Sequence, residues 1–198
     1  MKKTTTRVII TFVCLITLLL GYYAYLSNKD RQTKEETTMT PMQEALSRDM
    51  KNDYPSTPKE VMKYYNELLK CFYNEACTEE EIDDLGERAR ELYDAELLEA
   101  NEFGTYLMRL RAEIADYREK GRRIASSSVA ASTNVDFFEE DGFEFARILC
   151  VYNIMEGDVS NSTRQMYLLR KDEDRHWKIY GWENAANLEE AQDKETAE

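Results

Sequence analysis

The clearest signal of the fold is the sequence of residues 135–155, V-D-F-F-E-E-D-G-F-E-F-A-R-I-L-C-V-Y-N-I-M. Apolar residues alternate with polar ones over residues 129–137, which is the period of a β-strand. Glu140-Asp141-Gly142 has the composition of a hairpin turn. Residues 143–155 are long enough to form an extended strand on the other side of that turn. The stretch therefore predicts an antiparallel hairpin whose second strand is long.

Two further strands are predicted toward the carboxyl terminus. A polar turn at residues 157–162 leads to a strand over residues 164–170. Asp172-Glu173-Asp174 turns the chain again, and residues 177–182 form the last predicted strand. Consecutive strands joined by short turns pair in the antiparallel sense. The sequence therefore predicts a four-stranded antiparallel sheet.

The residues before this sheet have helical periodicity. Apolar side chains at Val61, Tyr65, Leu68 and Phe72 share one helix face. Helices are predicted over about 41–51, 58–75, 79–99 and 102–120, and the first three begin at the capping boxes of Thr40, Thr57 and Thr78. Gly121 is a helix stop after the fourth. Helices first and strands after them indicate an α+β fold.

An uncharged run at residues 8–26 stands apart from this pattern. Its nineteen residues match the roughly 20 that an α-helix needs to cross a bilayer. Cleavage of a signal peptide needs small residues near the cut, but bulky Tyr22 and Tyr25 precede the two available sites. We therefore interpret residues 8–26 as an uncleaved signal anchor in the cell membrane. A cleaved signal peptide and a core helix of a soluble protein are the alternatives.

Basic residues flank the run on both sides, three before it and three after it. Those before it are crowded beside the free amino terminus, and a short basic head usually stays in the cytoplasm. Residues 1–7 are therefore predicted to be cytoplasmic, with the part of the chain after this single span outside. Residues 27–56 are then a linker with a short helix, 57–184 the folded domain, and 185–198 an acidic tail.

The net charge of the chain is −13, and the charge is unevenly distributed. Residues 1–34 hold six Lys or Arg and one Asp, a net of +5, which leaves 20 basic and 38 acidic residues, a net of −18. This balance excludes nucleic acid as a partner, because binding to phosphates needs a basic footprint. It fits a partner with basic patches, the capture of cations, or a solvated surface that keeps a tethered domain soluble.

The cysteines and the single histidine form no recognisable metal or catalytic motif in the sequence. Cys71, Cys77 and Cys150 lack the spacing of zinc ligands, and His176 has no Cys, Ser or other His near it. The acidic runs lack the alternating spacing of a calcium loop. The sequence therefore predicts no metal, no cofactor and no catalytic residue. A Cys71–Cys77 disulfide and buried free thiols are alternatives.

The last two predicted strands carry a resemblance to a known fold family. Residues 167–172, Y-L-L-R-K-D, followed by residues 176–183, H-W-K-I-Y-G-W-E, resemble the final hairpin of NTF2-like, cystatin-like cone domains. The resemblance implies helices packed on a curved four-stranded antiparallel sheet. Residues 54–61, Y-P-S-T-P-K-E-V, with Tyr65-Asn66, are similar to an uncharacterised group of single-span proteins from anaerobic Gram-positive bacteria. That similarity implies a location in the membrane and does not imply an activity.

The aromatic residues of the predicted strands are the candidate binding site. Tyr152, Tyr167, Trp177, Tyr180 and Trp182 either line a cone pocket, since ligand sites are concave and mostly apolar, or fill the sheet–helix core. No base with an orienting partner accompanies them, so the sequence does not predict an enzyme. The leading hypothesis is a membrane-tethered binding or assembly module that contacts a protein partner or a second copy of itself. A small-molecule binder or sensor is the alternative.

Overall fold

The computed structural model describes residues 39–186. The predicted head at 1–7, the span at 8–26 and most of the tail at 185–198 lie outside these residues. In the described part, no helix has the length and apolar character needed to cross a bilayer. The chain divides into two units between Thr40 and Pro41, and the helices and strands of the described residues belong to the second unit.

That unit has the α+β organisation expected from the sequence. The helices are α1 Pro41–Ser47, α2 Pro58–Asn74, α3 Glu79–Arg90, α4 Ala95–Ala100 and α5 Phe103–Glu119. The strands are β1 Arg122–Val129, β2 Asp136–Glu140, β3 Phe143–Glu156, β4 Val159–Lys171 and β5 Trp177–Asn184, with a 3₁₀ turn at Ser132–Asn134. All five strands pair antiparallel in one sheet, in the order β1-β3-β4-β5 with β2 also on β3. The α+β prediction is confirmed, and the prediction of four strands is wrong by one.

The additional strand arises where the sequence predicts one strand over residues 129–137. β1 ends at Val129, the 3₁₀ turn follows, and β2 begins at Asp136. Both strands lie along the same edge of β3, because Val129 pairs with Cys150 and Asp136 pairs with Arg147. β1 is rich in serine and buries Ile124 alone among its residues, so it lacks the apolar alternation that reveals a strand.

The helix predicted over residues 79–99 is two helices. α3 ends at Arg90, and the chain then forms a short bridge to β5, in which the Ile179 N–H donates to the Leu92 carbonyl and the Asp94 N–H donates to the Ile179 carbonyl. Asp94 restarts the helix, because its side chain accepts a hydrogen bond from the Glu96 N–H. Pairing with the sheet therefore breaks the helix and turns Tyr93 toward the core.

The helix caps differ in completeness. At Thr78 the capping box is complete, since the hydroxyl accepts from the Glu81 N–H and the Glu81 carboxylate accepts from the Thr78 N–H. At Thr57 the hydroxyl accepts from the Glu60 N–H, but the Glu60 carboxylate accepts from Ser56 instead. The predicted box at Thr57 is therefore half formed. The backbone amides of Ser56 and Glu60 still have hydrogen-bond acceptors.

The core lies between the helices and one face of the sheet. Alternate residues of β3, from Ala146 to Tyr152, are buried on this face, while Leu149 and Val151 on the other face are less buried. Cys71, Cys77 and Cys150 are free and buried, so no Cys71–Cys77 disulfide is formed. Burial raises the pKa of Cys71 to about 11 and of Cys150 to about 12. These two cysteines are therefore neutral thiols at physiological pH.

Candidate functional site

A cavity of about 290 Å³ lies between the inner face of the sheet and helices α2 and α5. Its wall is mainly aromatic. Seven tyrosines and one tryptophan are among its lining residues: Tyr65, Tyr73, Tyr93, Tyr106, Tyr117, Tyr152, Tyr167 and Trp182. Ligand sites are typically concave and apolar with a few polar groups at fixed positions, and this cavity has that composition.

Three of the five sequence-predicted site residues reach this cavity. Tyr152, Tyr167 and Trp182 line it. Trp177 lies elsewhere in the core, with its ring centroid 5.6 Å from that of Phe137. Tyr180 is directed away from the cavity, and its hydroxyl donates to Glu96 at 2.8 Å.

A β-bulge explains why Trp182 faces the cavity. Leu169 pairs with Ile179, but the preceding Leu168 pairs with Gly181, so Tyr180 is the extra residue on β5. A bulge changes which side chains of a strand face the core. Beyond it, Trp182 pairs with Tyr167 and faces the cavity. In an unbroken strand the alternation starting at Trp177 would place Trp182 on the opposite face.

Four aromatic rings of the lining form a closed circuit. The ring centroids of Tyr65 and Tyr93 are 6.0 Å apart, and those of Tyr93 and Trp182 are 6.2 Å apart. Trp182 lies 5.8 Å from Tyr167, which lies 6.0 Å from Tyr65. The four residues come from α2, the α3–α4 connection, β4 and β5. We call this set the aromatic circuit.

A chain of hydrogen bonds crosses the inner wall from the core to the cavity. Tyr152 donates to Asn66 Oδ1 at 2.7 Å, and Tyr167 donates to Gln165 Oε1 at 2.7 Å. The two hydroxyl oxygens are 3.0 Å apart. Since two hydroxyl protons serve three contacts, the third bond forms fully when one terminal amide turns over and donates. Gln165 lines the cavity, so a reversal of its own amide would change the group that the wall offers to a bound molecule.

The hydroxyls of the wall are neutral. Burial raises the pKa of Tyr65, Tyr93, Tyr152 and Tyr167 above the ordinary value of 10.0. Tyr65 and Tyr93 also contact each other, with their hydroxyl oxygens 3.1 Å apart. Protonated phenols donate and accept hydrogen bonds and are poor bases at neutral pH. This chemistry suits recognition of a ligand better than abstraction of a proton.

A family model for a domain of unknown function, DUF6715, matches residues 1–182. The chain belongs to this family. No curated protein matches the chain.

Two charged residues of α5 stand at the lining of the DUF6715 cavity, Arg109 and Glu113. Both are exposed and lie one helical turn apart. Arg109 is turned toward Asn101, with its Nη1 atom 3.5 Å from Oδ1. After burial, the negative charge of Glu113 is the next cause that raises the pKa of Tyr73 and of Tyr117. The negative charge of Glu113 therefore acts on the tyrosines at this side of the cavity.

A second cluster of polar side chains lies in the β4–β5 turn. The possible ligand atoms of Asp172, Asp174 and His176 lie within 4.8 Å of one another. Asp172 already accepts a hydrogen bond from the His176 N–H, and the His176 ring stacks on Tyr54 with centroids 4.2 Å apart. These contacts hold the turn by themselves, so the cluster carries no argument for a metal ion.

The sequence does not predict the helical half of the cavity. Tyr65 and Tyr93 fall on helix faces that are expected to pack against the core, which is how a helical apolar period is ordinarily interpreted. The composition holds one signal, since the chain has 13 tyrosines and seven phenylalanines. A tyrosine needs a partner for its hydroxyl when it is buried, so an excess of tyrosine in core positions favours a polar-lined interior.

Proposed function

We propose that this chain is a single-pass membrane protein whose domain outside the cell binds a small molecule. The observation that carries the proposal is the cavity of about 290 Å³, lined by aromatic rings and provided with neutral hydroxyl and amide groups. We also propose that residues 57–184 form an NTF2-like domain, which is supported by helices on one face of long antiparallel strands.

The membrane address rests on the sequence. The nineteen uncharged residues at 8–26 have the length of a bilayer span. The basic head at residues 1–7 supports a cytoplasmic amino terminus. Tethering would hold the domain at high local concentration beside other membrane components.

Binding is favoured over catalysis by the protonation of the wall. The phenols of the aromatic circuit and of the Asn66–Tyr152–Tyr167–Gln165 chain have pKa values raised by burial. A general base has to accept a proton near neutral pH, and these hydroxyls keep theirs. The proposal is therefore a non-enzymatic binder or sensor.

The proposal can be tested by filling the cavity with a larger side chain and measuring whether a bound ligand is lost. Thr163 is a half-buried lining residue of β4, and its neighbour Ser162 is exposed and outside the lining. Thr163→Phe should fill the space, while Ser162→Phe adds the same ring elsewhere. The full-length chain is purified from its native membrane, and small molecules released on denaturation are identified by mass spectrometry. We expect a compound with wild type and Ser162→Phe that is absent with Thr163→Phe; identical profiles for all three would contradict the proposal.

Assembly with another protein is the second candidate, and the outer face of the sheet favours it. The β3–β4 pairing brings together apolar residues there that are not fully buried, among them Val151, Met166 and Leu168. A photo-crosslinking residue at Met166 should then capture a partner or a second copy in native membranes. The same residue at Glu99, an exposed helix position, is the control. Equal labelling from both positions would count against assembly through this face.

A further inference from the structure

We infer that the ligand of the cavity is a small organic cation, a quaternary or protonated amine held among the aromatic rings with Glu113 as its counter-charge. This inference rests on the proposed function. It adds the chemical class of the ligand. Two independent features support it, the closed arrangement of rings and the sign of the charge beside them.

The aromatic circuit places four rings along the wall of one cavity. Four rings from four parts of the chain follow one another at centroid distances of 5.8 to 6.2 Å. The face of an aromatic ring attracts a cation that lies within roughly 6 Å of its centroid, and tryptophan does so best. A cation beside Trp182 and its neighbours would therefore contact several rings at once. A neutral molecule of the same shape would gain only the apolar part of this contact.

One ring of the lining already interacts with a cation from within the chain. The Arg90 guanidinium lies over the ring of Tyr106, 5.5 Å from the centroid, and over Phe103, at 5.4 Å. Tyr106 in turn lies 6.1 Å from Tyr93 of the aromatic circuit. The rings of this region thus interact favourably with positive charge where Arg90 can reach them, and the cavity offers further rings that Arg90 does not cover.

The charged residues that line the cavity support a positive charge on the ligand. Glu113 is the acidic residue there, and the pKa values of Tyr73 and Tyr117 respond to its charge. Arg109 is the basic one, and its guanidinium is directed to Asn101, which also lines the cavity. Arg109 would attract an anion, but the negative ring faces and Glu113 would repel one. A cation is attracted by both.

The net negative charge of the domain and the polar residues of the cavity wall both favour a substituted amine as the ligand. The residues beyond position 34 carry a net charge of −18, and an acidic surface raises the local concentration of cations. Thr163 and Gln165 line the cavity opposite the helices and can bond a hydroxyl on the ligand. Choline, a quaternary ammonium with one hydroxyl, is therefore a suitable probe.

The experiment compares choline with 3,3-dimethylbutan-1-ol, in which a carbon atom replaces the charged nitrogen. The full-length chain is kept in a non-ionic detergent, because zwitterionic detergents can carry the same head group as the probe. Binding is followed by tryptophan fluorescence in the Trp177→Phe variant, where Trp182 is the remaining tryptophan. We expect a saturable change with choline and at least tenfold weaker binding of the alcohol. Equal affinities, or no saturable change with choline, would overturn the inference.

The role of Glu113 is tested separately. Glu113→Gln should weaken choline binding about tenfold and leave the alcohol unaffected, while Glu119→Gln, an exposed position on the same helix, should change neither. The Trp182→Phe variant, which retains Trp177 outside the cavity, should lose the fluorescence response. If Glu113→Gln binds choline like wild type, the assignment of the counter-charge is wrong.

Failure of this inference can be told apart from failure of the proposed function. If Thr163→Phe loses a natural ligand and that ligand is uncharged, the cavity binds a small molecule and the inference of a cation is wrong. If the chain carries no ligand and neither probe binds, both are wrong.

Discussion

Two clusters of polar side chains lie close together on β4 and differ in what surrounds them. On the inner face, Tyr167 and Gln165 belong to a neutral hydrogen-bond chain beside an open cavity. On the other side, Arg170 donates to both oxygens of Asp94, at 2.5 and 3.0 Å, and to Glu96 at 2.7 Å. Arg170 also lies between two aromatic rings, 4.8 Å from each centroid. We call this second cluster the arginine corner.

The two clusters differ in how much of their bonding capacity is already used within the chain. In the arginine corner the guanidinium is paired, stacked and 12% exposed, so the cluster has little left to offer a ligand. It links the start of α4 to β4, because Asp94 also caps that helix. The tyrosine chain contributes hydrogen bonds next to open volume. Saturated ionic pairing indicates a structural role, whereas hydroxyls facing a cavity indicate a place for a ligand.

The strongest predicted change is unfolding at high pH, caused by ionisation of the tyrosines that line the cavity. Burial raises the pKa of all seven lining tyrosines: Tyr65, Tyr73, Tyr93, Tyr106, Tyr117, Tyr152 and Tyr167. A raised folded-state pKa contributes stability that is present below pH 10 and is lost as pH rises toward the folded value. Each group can cost roughly 1.4 kcal/mol per pH unit above 10. The fold should therefore unfold cooperatively within about one or two pH units above 10.

Urea unfolding at pH 8, 10 and 11, with tyrosinate absorbance recorded in parallel, measures this effect. Tyrosinate should appear together with unfolding, and Tyr167→Phe should make the pH dependence shallower. Ionisation of all tyrosines in a chain that remains folded would show that the cavity wall is far more hydrated than its burial implies.

The next effect is on the arginine corner. Asp94→Ala leaves the mostly buried Arg170 without its bidentate partner, and removing one member of a buried pair costs about 3–5 kcal/mol of unfolding free energy. Asp94→Asn retains an oxygen that can cap α4, so it should recover the part due to the cap, about 1 kcal/mol. Urea unfolding of the three proteins measures both terms.

The matched control in the corner is Glu96→Ala, which removes the exposed partner of the same guanidinium. Its effect should be clearly smaller than that of Asp94→Ala, because water can replace an exposed carboxylate. Similar losses from both variants would mean that burial does not distinguish the two ion pairs.

A smaller effect separates the two tyrosines of the hydrogen-bond chain. Tyr152→Phe leaves the Asn66 amide, buried beneath the cavity, without its hydroxyl partner. Leaving a buried polar group unpaired should cost about 2 kcal/mol. Tyr167→Phe retains the Tyr152–Asn66 bond and frees Gln165 beside the cavity, so about 1 kcal/mol is expected. Thermal unfolding with matched urea titrations ranks them. The reverse order would mean that the chain is anchored at its Gln165 end.

The sequence predicted the local elements well because their signals are local. The turn at Asp141-Gly142 has positive φ at both residues, 52° and 81°, as a hairpin turn of this composition requires. Thr78 and Glu81 form the complete capping box that their spacing indicates. In these cases the residues that determine the structure are neighbours in the chain.

The remaining features depend on distant residues. The apolar period of residues 79–99 continues through Leu92 and Tyr93, and the helix breaks there only because β5 offers backbone partners. Trp182 reaches the cavity because of a bulge beside Gly181, and a glycine inside a strand often marks a bulge without showing which face the next side chain takes. Strand alternation alone therefore could not show that Trp182, and not Trp177 or Tyr180, lines the cavity.

The smallest expected effect is an acid-side change at the edge of the arginine corner. The hydrogen bond from Arg170, followed by that from Tyr180, lowers the pKa of Glu96 below its ordinary value of 4.5. A lowered folded-state pKa contributes stability that is present above pH 4.5 and is lost as pH falls through the folded value. Glu96→Gln should abolish that contribution, so its unfolding free energy should depend less on pH between about 5 and 3 than that of wild type. The Glu96 carboxylate is exposed, so the difference should be slight compared with the alkaline loss caused by the cavity tyrosines. An acid dependence as steep as the alkaline one would mean that charge pairing, and not the tyrosine-lined cavity, dominates the response of this fold to pH.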